Sequence, residues 1–293
     1  MPSLSTNCAL WVTRVLWLAT TALVPLSISS AVSDRTSLTE NVAFATWWVV
    51  AGAGVIAVVI CGPIGLTIVR TLAPATIAVA AAALVFEASA LRGIVAIAAA
   101  ALTTLSAFMA ETGEACVQEA AYGDERRLPL RPPAAMQIPI AVSWILWLAA
   151  AGAGVLLLAA EQWLFALAVL ALACVLTWLV YVRLHRFACR WLVSVPAGIV
   201  VHDPVVLGET LMMLRPNVLH AQLALAGTEA ADLSGPAAGH AVEITLRTMA
   251  QVVLAPTAAK PKGTAIHAQS ILIAPSRPGR ALHALADRKI AIL

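Results

Sequence analysis

His185 and Cys189 stand four residues apart, the spacing that puts two metal ligands on one helix face. Two ligands without a second pair elsewhere do not make a site. The other histidines, His202, His220, His240, His267 and His283, fall in no H-E-x-x-H or similar order, so no metal is expected. The five cysteines, Cys8, Cys61, Cys116, Cys174 and Cys189, include no C-x-x-C and no close pair, and read as small apolar residues or thiols. Ser234-Gly235-Pro236 does not supply a nucleophile elbow, and Lys260-Pro261-Lys262-Gly263 lacks the order of a phosphate loop. The expectation is no catalytic residue and no cofactor, which disfavours an enzyme.

Three other groupings have the chemistry of binding or packing. Arg126, Arg127, Arg131, Arg183, Arg186 and Arg190 are clustered beside apolar runs and can meet anionic lipid headgroups, at roughly 1 kcal/mol per basic residue near the surface. Glu111 and Glu114, followed by Glu119, Asp124 and Glu125, read as a solvated extension of a membrane helix, because the three arginines after them offset the charge. Glu87 and Glu161 fall on the opposite turns. Gly52 and Gly54 follow Trp47 at the same spacing as Gly152 and Gly154 follow Trp147, an offset of 100 residues. All four glycines read as helix-packing positions; the alternative is the trace of a 3+3 inverted repeat, an architecture of transporters.

These residues must be positioned by membrane helices. Of the 293 residues 61% are hydrophobic and 11% charged, and the mean hydropathy is +0.91. Crossing roughly 30 Å of hydrocarbon takes about 20 apolar residues as a helix, with every backbone group paired internally. Six runs qualify, near 15–33, 43–69, 71–90, 93–110, 138–160 and 162–182. The first could instead be a signal peptide ending near Ala31-Val32-Ser33, which would leave five spans and the tail on the same side.

With the N-terminus inside, inner ends hold Arg14, Arg70, Arg126, Arg127, Arg131, Arg183, Arg186 and Arg190, and outer loops hold only Arg35 and Arg92. Basic residues near helix ends stay in the cytoplasm, so both termini are expected there, in a multi-pass protein of the cytoplasmic membrane. Trp47, Trp48, Trp144, Trp147, Trp163 and Trp178 are placed for interfacial anchoring. Residues 183–293 net +5 against −2 for residues 1–182. That balance favours an anionic membrane surface and falls short of a nucleic-acid footprint.

Past Arg190 the period changes. Arg190–Val195, Ile199–His202 and the alternation of Val242, Ile244 and Leu246 with Glu243, Thr245 and Arg247 predict antiparallel strands with one buried face. Residues 228–239 and 256–263 read as loops. Ser276 is the expected cap of a last helix, with Pro278 in its first turn and Leu282, Leu285, Ala286 and Ile290 as its apolar stripe. The division expected is a helical membrane domain over 1–189 and a small antiparallel β domain, closed by a C-terminal helix, over 190–293.

Val195-Pro-Ala-Gly-Ile-Val-Val-His-Asp-Pro204, Tyr122-Gly-Asp-Glu-Arg-Arg-Leu-Pro-Leu-Arg131 and Pro275-Ser-Arg-Pro-Gly279 together resemble uncharacterised polytopic membrane proteins of actinobacteria. The tail is similar to a bacterial PH-like module, a bent antiparallel sheet capped by a helix. That resemblance implies a noncatalytic membrane scaffold or regulator whose cytoplasmic domain binds a protein partner or anionic lipid. A small-solute transporter is the alternative. Mid-membrane polar groups would decide for it, and the sequence offers only hydroxyls such as Thr103, Thr104, Ser106, Ser143 and Thr177. Oligomeric state is open.

Overall fold

The computed structural model describes residues 4–86, 90–256, 261 and 263–293. Glu87, Lys260 and Lys262, weighed above, lie outside them. The chain runs α1 (Leu4–Val32), α2 (Ser37–Ile60), α3 (Pro63–Phe86), α4 (Ala90–Phe108), α5 (Ala110–Glu119), β1 (Arg126–Pro129), α6 (Ala134–Ala159) and α7 (Trp163–Ala188). It continues through β2 (Trp191–Val195), β3 (Gly198–His202), β4 (Leu211–Leu214), β5 (Val218–Leu223), β6 (Ala231–Asp232), β7 (Val242–Leu254), β8 (Thr264–Ile273) and α8 (Pro278–Ala286). Six of the helices, α1 to α4, α6 and α7, are long and apolar enough to cross a membrane. This is a multi-pass membrane protein with a β-rich extramembrane part.

The second and third spans divide at a different place from the one the arginines suggested. The apolar run expected over 43–69 breaks at Cys61-Gly62, and Pro63 opens α3 at its first position. Proline lacks an N–H, which the first turn of a helix does not need, so it starts a helix where it could not continue one. Arg70 consequently sits inside α3 rather than in a loop. At the other end of α2, Thr36 caps the helix by accepting a 3.3 Å bond from the Thr39 amide.

Two compact units result: Met1–Cys116 with Ile140–His185, and Val117–Pro139 with Arg186–Leu293. The expected boundary at 189/190 is therefore corrected. The segment between α5 and α6 belongs with the β domain, because β1 pairs antiparallel with β2, Arg127 opposite Val193 and Leu128 opposite Leu192.

In the first unit α1, α2, α3 and α4 pack on one another, while α6 and α7 are held beside them by side-chain bonds. Trp144 Nε1 donates to Thr71 O at 2.9 Å, Thr39 Oγ1 donates to Ala159 O at 3.3 Å, and Thr67 Oγ1 bonds His185 Nδ1 at 3.1 Å. The helices thus group four and two. Small residues let the four approach closely: Ala73, Ala80, Ala96, Ala100 and Ala107 are all buried.

In the second unit two four-stranded sheets, ordered β1-β2-β3-β4 and β5-β7-β8-β6, enclose one core. Leu128 and Leu130 enter it from the β1 segment, Leu192, Ile199 and Val201 from β2 and β3, and Ile244, Leu246, Ile271 and Ile273 from β7 and β8. All pairings among named strands are antiparallel except that of β8 with β6, a short strand inside the stretch 228–239 expected to be loop. The final helix begins where Pro278 placed it, but Arg277 is the cap residue and no side chain caps it, so Ser276 does not. Its buried face is Ala281, Ala284 and Leu285, with Leu282 partly covered. Ala286 is exposed, and Ile290, though buried, lies past the helix end. Ser194 Oγ ties the helix down by donating to Ala284 O at 3.1 Å.

Candidate functional site

Arg190 is the first of the expected lipid contacts to be reassigned. It follows α7 directly and is 1% exposed. Its guanidinium grips Asp203 with two bonds, Nε to Oδ1 at 2.8 Å and Nη2 to Oδ2 at 2.6 Å. Nη1 donates to Arg131 O at 2.6 Å and Nη2 to Ser234 O at 3.4 Å. Asp203 Oδ1 also accepts from the amides of Val205 and Val206 at 3.0 and 3.1 Å. One planar fork therefore joins β2, the turn after β3, the β1 segment and the 234 loop, which a point-charge lysine could not do. It is a structural clamp.

Arg131 is tied similarly. Its amide donates to Ala274 O at 2.9 Å, its Nη2 donates to His240 O, and its Nη1 lies where a Cβ on Gly239 would be. Burial pushes this guanidinium below its ordinary value. Arg127 pairs with Glu125 at 2.7 Å and covers the rings of Tyr122 and Trp191. Arg126 is half-buried on β1, opposite Ser194. Among the six, only Arg183 and Arg186, at the end of α7, are exposed.

The packing glycines split within each pair. A Cβ on Gly54 would fall 1.6 Å from the Trp17 ring, and one on Gly154 would meet Leu170 Cδ2 at 2.6 Å. Gly52 and Gly152 have nothing within 4 Å. Trp17 itself is fully buried, its Nε1 donating to Ala51 O at 3.1 Å. Trp47 is buried between helices rather than anchored at an interface, whereas Trp48, Trp163 and Trp178 are exposed.

Of the acids expected on a solvated extension, Glu119 and Asp124 are exposed, but Glu114 is not. Glu114 is 5% exposed, and Thr112, Gly113, Ala115 and Cys116 are buried with it. Arg14 Nε donates to Val58 O at 2.9 Å and Arg70 Nε to Ala107 O at 3.0 Å, so each cation closes the C-terminal end of a helix, α2 and α4. Beside them Thr13 and Thr112 share a 3.2 Å hydrogen bond, and Thr20 and Thr103 one of 2.8 Å. Cys61 Sγ lies 2.7 Å from Cys116 Sγ. Sequence reasoning saw no close cysteine pair, and a separation of 55 residues gave it no signal.

His185 and Cys189 are not brought together with further ligands: His185 stacks on Tyr181 at 5.6 Å, and among the described residues no three His, Cys, Asp or Glu converge. Burial pushes the Cys189 thiol up.

A different surface in the second unit was not foreseen. Met212 and Leu214 on β4, Leu219 on β5 and Met249 in β7 are exposed, and so are Arg215 and Arg247. Asn217 gathers them: its Oδ1 accepts from Thr248 N at 2.9 Å and Thr248 Oγ1 at 2.7 Å, and its Nδ2 donates to Thr248 O at 3.3 Å. Arg215 N donates to Ala197 O at 2.8 Å, bringing in the exposed Pro196-Ala197 hairpin turn. No Asp or Glu occurs in 195–199, 211–219 or 244–250. The large exposed side chains of these three segments are thus apolar or basic, with no acid within the segments themselves. The run Leu211-Met212-Met213-Leu214 hides this, because four successive apolar residues carry no alternation to show which two face out.

No protein-family model, curated protein or solved structure matches this chain. The reading of function rests on the geometry.

Proposed function

We propose that the chain is a membrane-embedded scaffold or regulator whose cytoplasmic, PH-like domain docks on anionic lipid headgroups through the corner of Met212, Leu214, Arg215, Leu219, Arg247 and Met249. The observation that carries this reading is the combination at that corner of four exposed apolar side chains and two arginines with no acid among them. Monomeric soluble surfaces seldom gather large apolar side chains this way without a partner. An interfacial layer accepts the methionines and leucines below the headgroups while the arginines meet phosphate, each basic residue adding about 1 kcal/mol. Two sheets, antiparallel but for the short β6–β8 pair, with a C-terminal helix packed on their core, support the PH-like description, and the eight-to-two arginine distribution supports the cytoplasmic side.

The test is hydrogen exchange on the full chain in nanodiscs of neutral lipid and of lipid containing phosphatidylglycerol. Residues 212–219 and 247–249 are expected to slow at least several-fold in the anionic discs, and Arg215→Glu with Arg247→Glu to abolish the difference. Equal exchange in both discs would rule the lipid surface out and leave a protein as partner.

One observation favours transport as the second reading: Thr20 and Thr103 meet between α1 and α4, giving facing polar groups at membrane depth. Both are 1% exposed or less and bond each other, and Thr103 also donates to Ala99 O at 2.9 Å. That is how hydroxyls join packed helices. The four-and-two grouping of the spans also gives a 3+3 repeat no support, so scaffold stands ahead of transporter.

A further inference from the structure

The α2–α3 turn and α5 bring together two sulfurs that nothing in the sequence pairs. Cys61 and Cys116 are 6% and 5% exposed, both as thiols, with their Sγ atoms in contact at 2.7 Å. Disulfide formation needs side chains that face each other across a short gap, and a bond of about 2.05 Å requires little movement from this arrangement. A second observation concerns the backbone. Cys61 holds φ +34°, in the left-handed region where a non-glycine residue is uncommon, although Gly62 stands next to it. A strained position of this kind points to a side chain kept for its chemistry. The third is charge: the Arg70 guanidinium, anchored on Ala107 O and lying against Gly113, interacts electrostatically with Cys116. A nearby cation offsets part of the cost that burial puts on the thiolate, the form that attacks disulfides.

We infer that Cys61 and Cys116 form a reversible dithiol–disulfide switch at the α5 end of the helical unit, oxidised by exchange with a low-molecular-weight disulfide. The Cys116 thiolate attacks one sulfur of the small disulfide, whose S–S bond breaks and releases one thiolate. Cys61, as thiolate, then attacks the mixed disulfide at Cys116, forming the Cys61–Cys116 bond and releasing the second thiolate. The two protons lost by the protein end on the two released small thiols, so two electrons pass from protein to oxidant. Oxidation fixes α5 to the α2–α3 turn; reduction frees it. On the cytoplasmic side, where the arginines place this end, such a pair is held reduced at rest and reports an oxidising shift. This inference is independent of the lipid-docking reading.

The experiment equilibrates the full chain in lipid nanodiscs with reduced or oxidised glutathione, quenches in acid, and alkylates under denaturing conditions before mass spectrometry. With reduced glutathione all five cysteines should alkylate. With oxidised glutathione the main product should be a Cys61–Cys116 linked peptide, with Cys8, Cys174 and Cys189 still modifiable. Cys61→Ser should instead trap a glutathione adduct on Cys116, and Arg70→Lys, which keeps the charge, should form the bond within several-fold of the parent rate. Alkylation of both Cys61 and Cys116 at the oxidising poise, in protein still folded, would overturn the switch. So would finding them already linked in unstressed cells quenched the same way, which would make the bond a permanent structural one.

Discussion

Arg190 and His202 show how single side chains in the β domain set its stability. Removing one member of a buried ion pair leaves the other charge uncompensated, at a cost of about 3–5 kcal/mol. Arg190 and Asp203 are 1% and 0% exposed, so Asp203→Ala should destabilise the domain on that scale in denaturant titration of the reconstituted protein, and Arg183→Ala, at an exposed site, should change it little. His202 packs on Trp191 at 5.2 Å and bonds Thr210 through Nδ1. Burial, with a smaller push from Arg127, depresses it below its ordinary 6.5, against the pull of Asp203. The folded state therefore disfavours the imidazolium. Its contribution to stability is complete above about pH 6.5 and is lost as pH falls through the depressed folded value. His202→Gln should flatten that part of the pH–stability profile below 6.5; an unchanged profile would place the dependence elsewhere.

Among the elements, the paired glycine motif and β1 make separable demands. Gly54→Leu would drive a side chain into the buried Trp17 ring and Gly154→Leu into Leu170, overpacking contacts at about 1–3 kcal/mol or more. Gly52→Leu and Gly152→Leu meet open space. Thermal melts in detergent should therefore fall for 54 and 154 and hold for 52 and 152, apart from helix propensity, which favours leucine. The strand β1 is the other case. A tail beginning at Arg190 lacks Leu128 and Leu130 and leaves β2 as an unpaired edge. Expressed alone, that tail should be aggregation-prone. The same tail with residues 122–133 joined ahead of it should be soluble and strand-rich by circular dichroism, and in that form Leu285→Ala should cost about 2–5 kcal/mol.

For the whole molecule, sidedness is the property on which the lipid-docking and thiol readings both draw. Arg14 and Arg70 close the C-terminal ends of α2 and α4, alternate spans of the chain, so two of the eight arginines expected inside act at helix ends that this order puts on one side. A reporter active only outside the cytoplasm should be silent after Leu293 and active when inserted near Ser37. The opposite pattern would move both the β domain and the cysteine pair to the other side.

Six spans, the β character of the tail and its last helix follow from the sequence alone. Apolar runs of membrane length have one stable form in lipid, and alternation such as Val242 to Arg247 has one way to bury a single face. Where α2 ends was also written locally, in Gly62-Pro63, although the arginine at 70 drew the boundary away from it. Contacts between distant segments were not legible. That β1 belongs to the tail, that Arg190 turns inward to Asp203, that Gly54 rather than Gly52 meets a ring, and that Cys61 finds Cys116 all depend on which faces meet after folding. Local patterns encode solvent preference and backbone conformation; they do not encode the partner across a long loop, which only the packed tertiary structure selects.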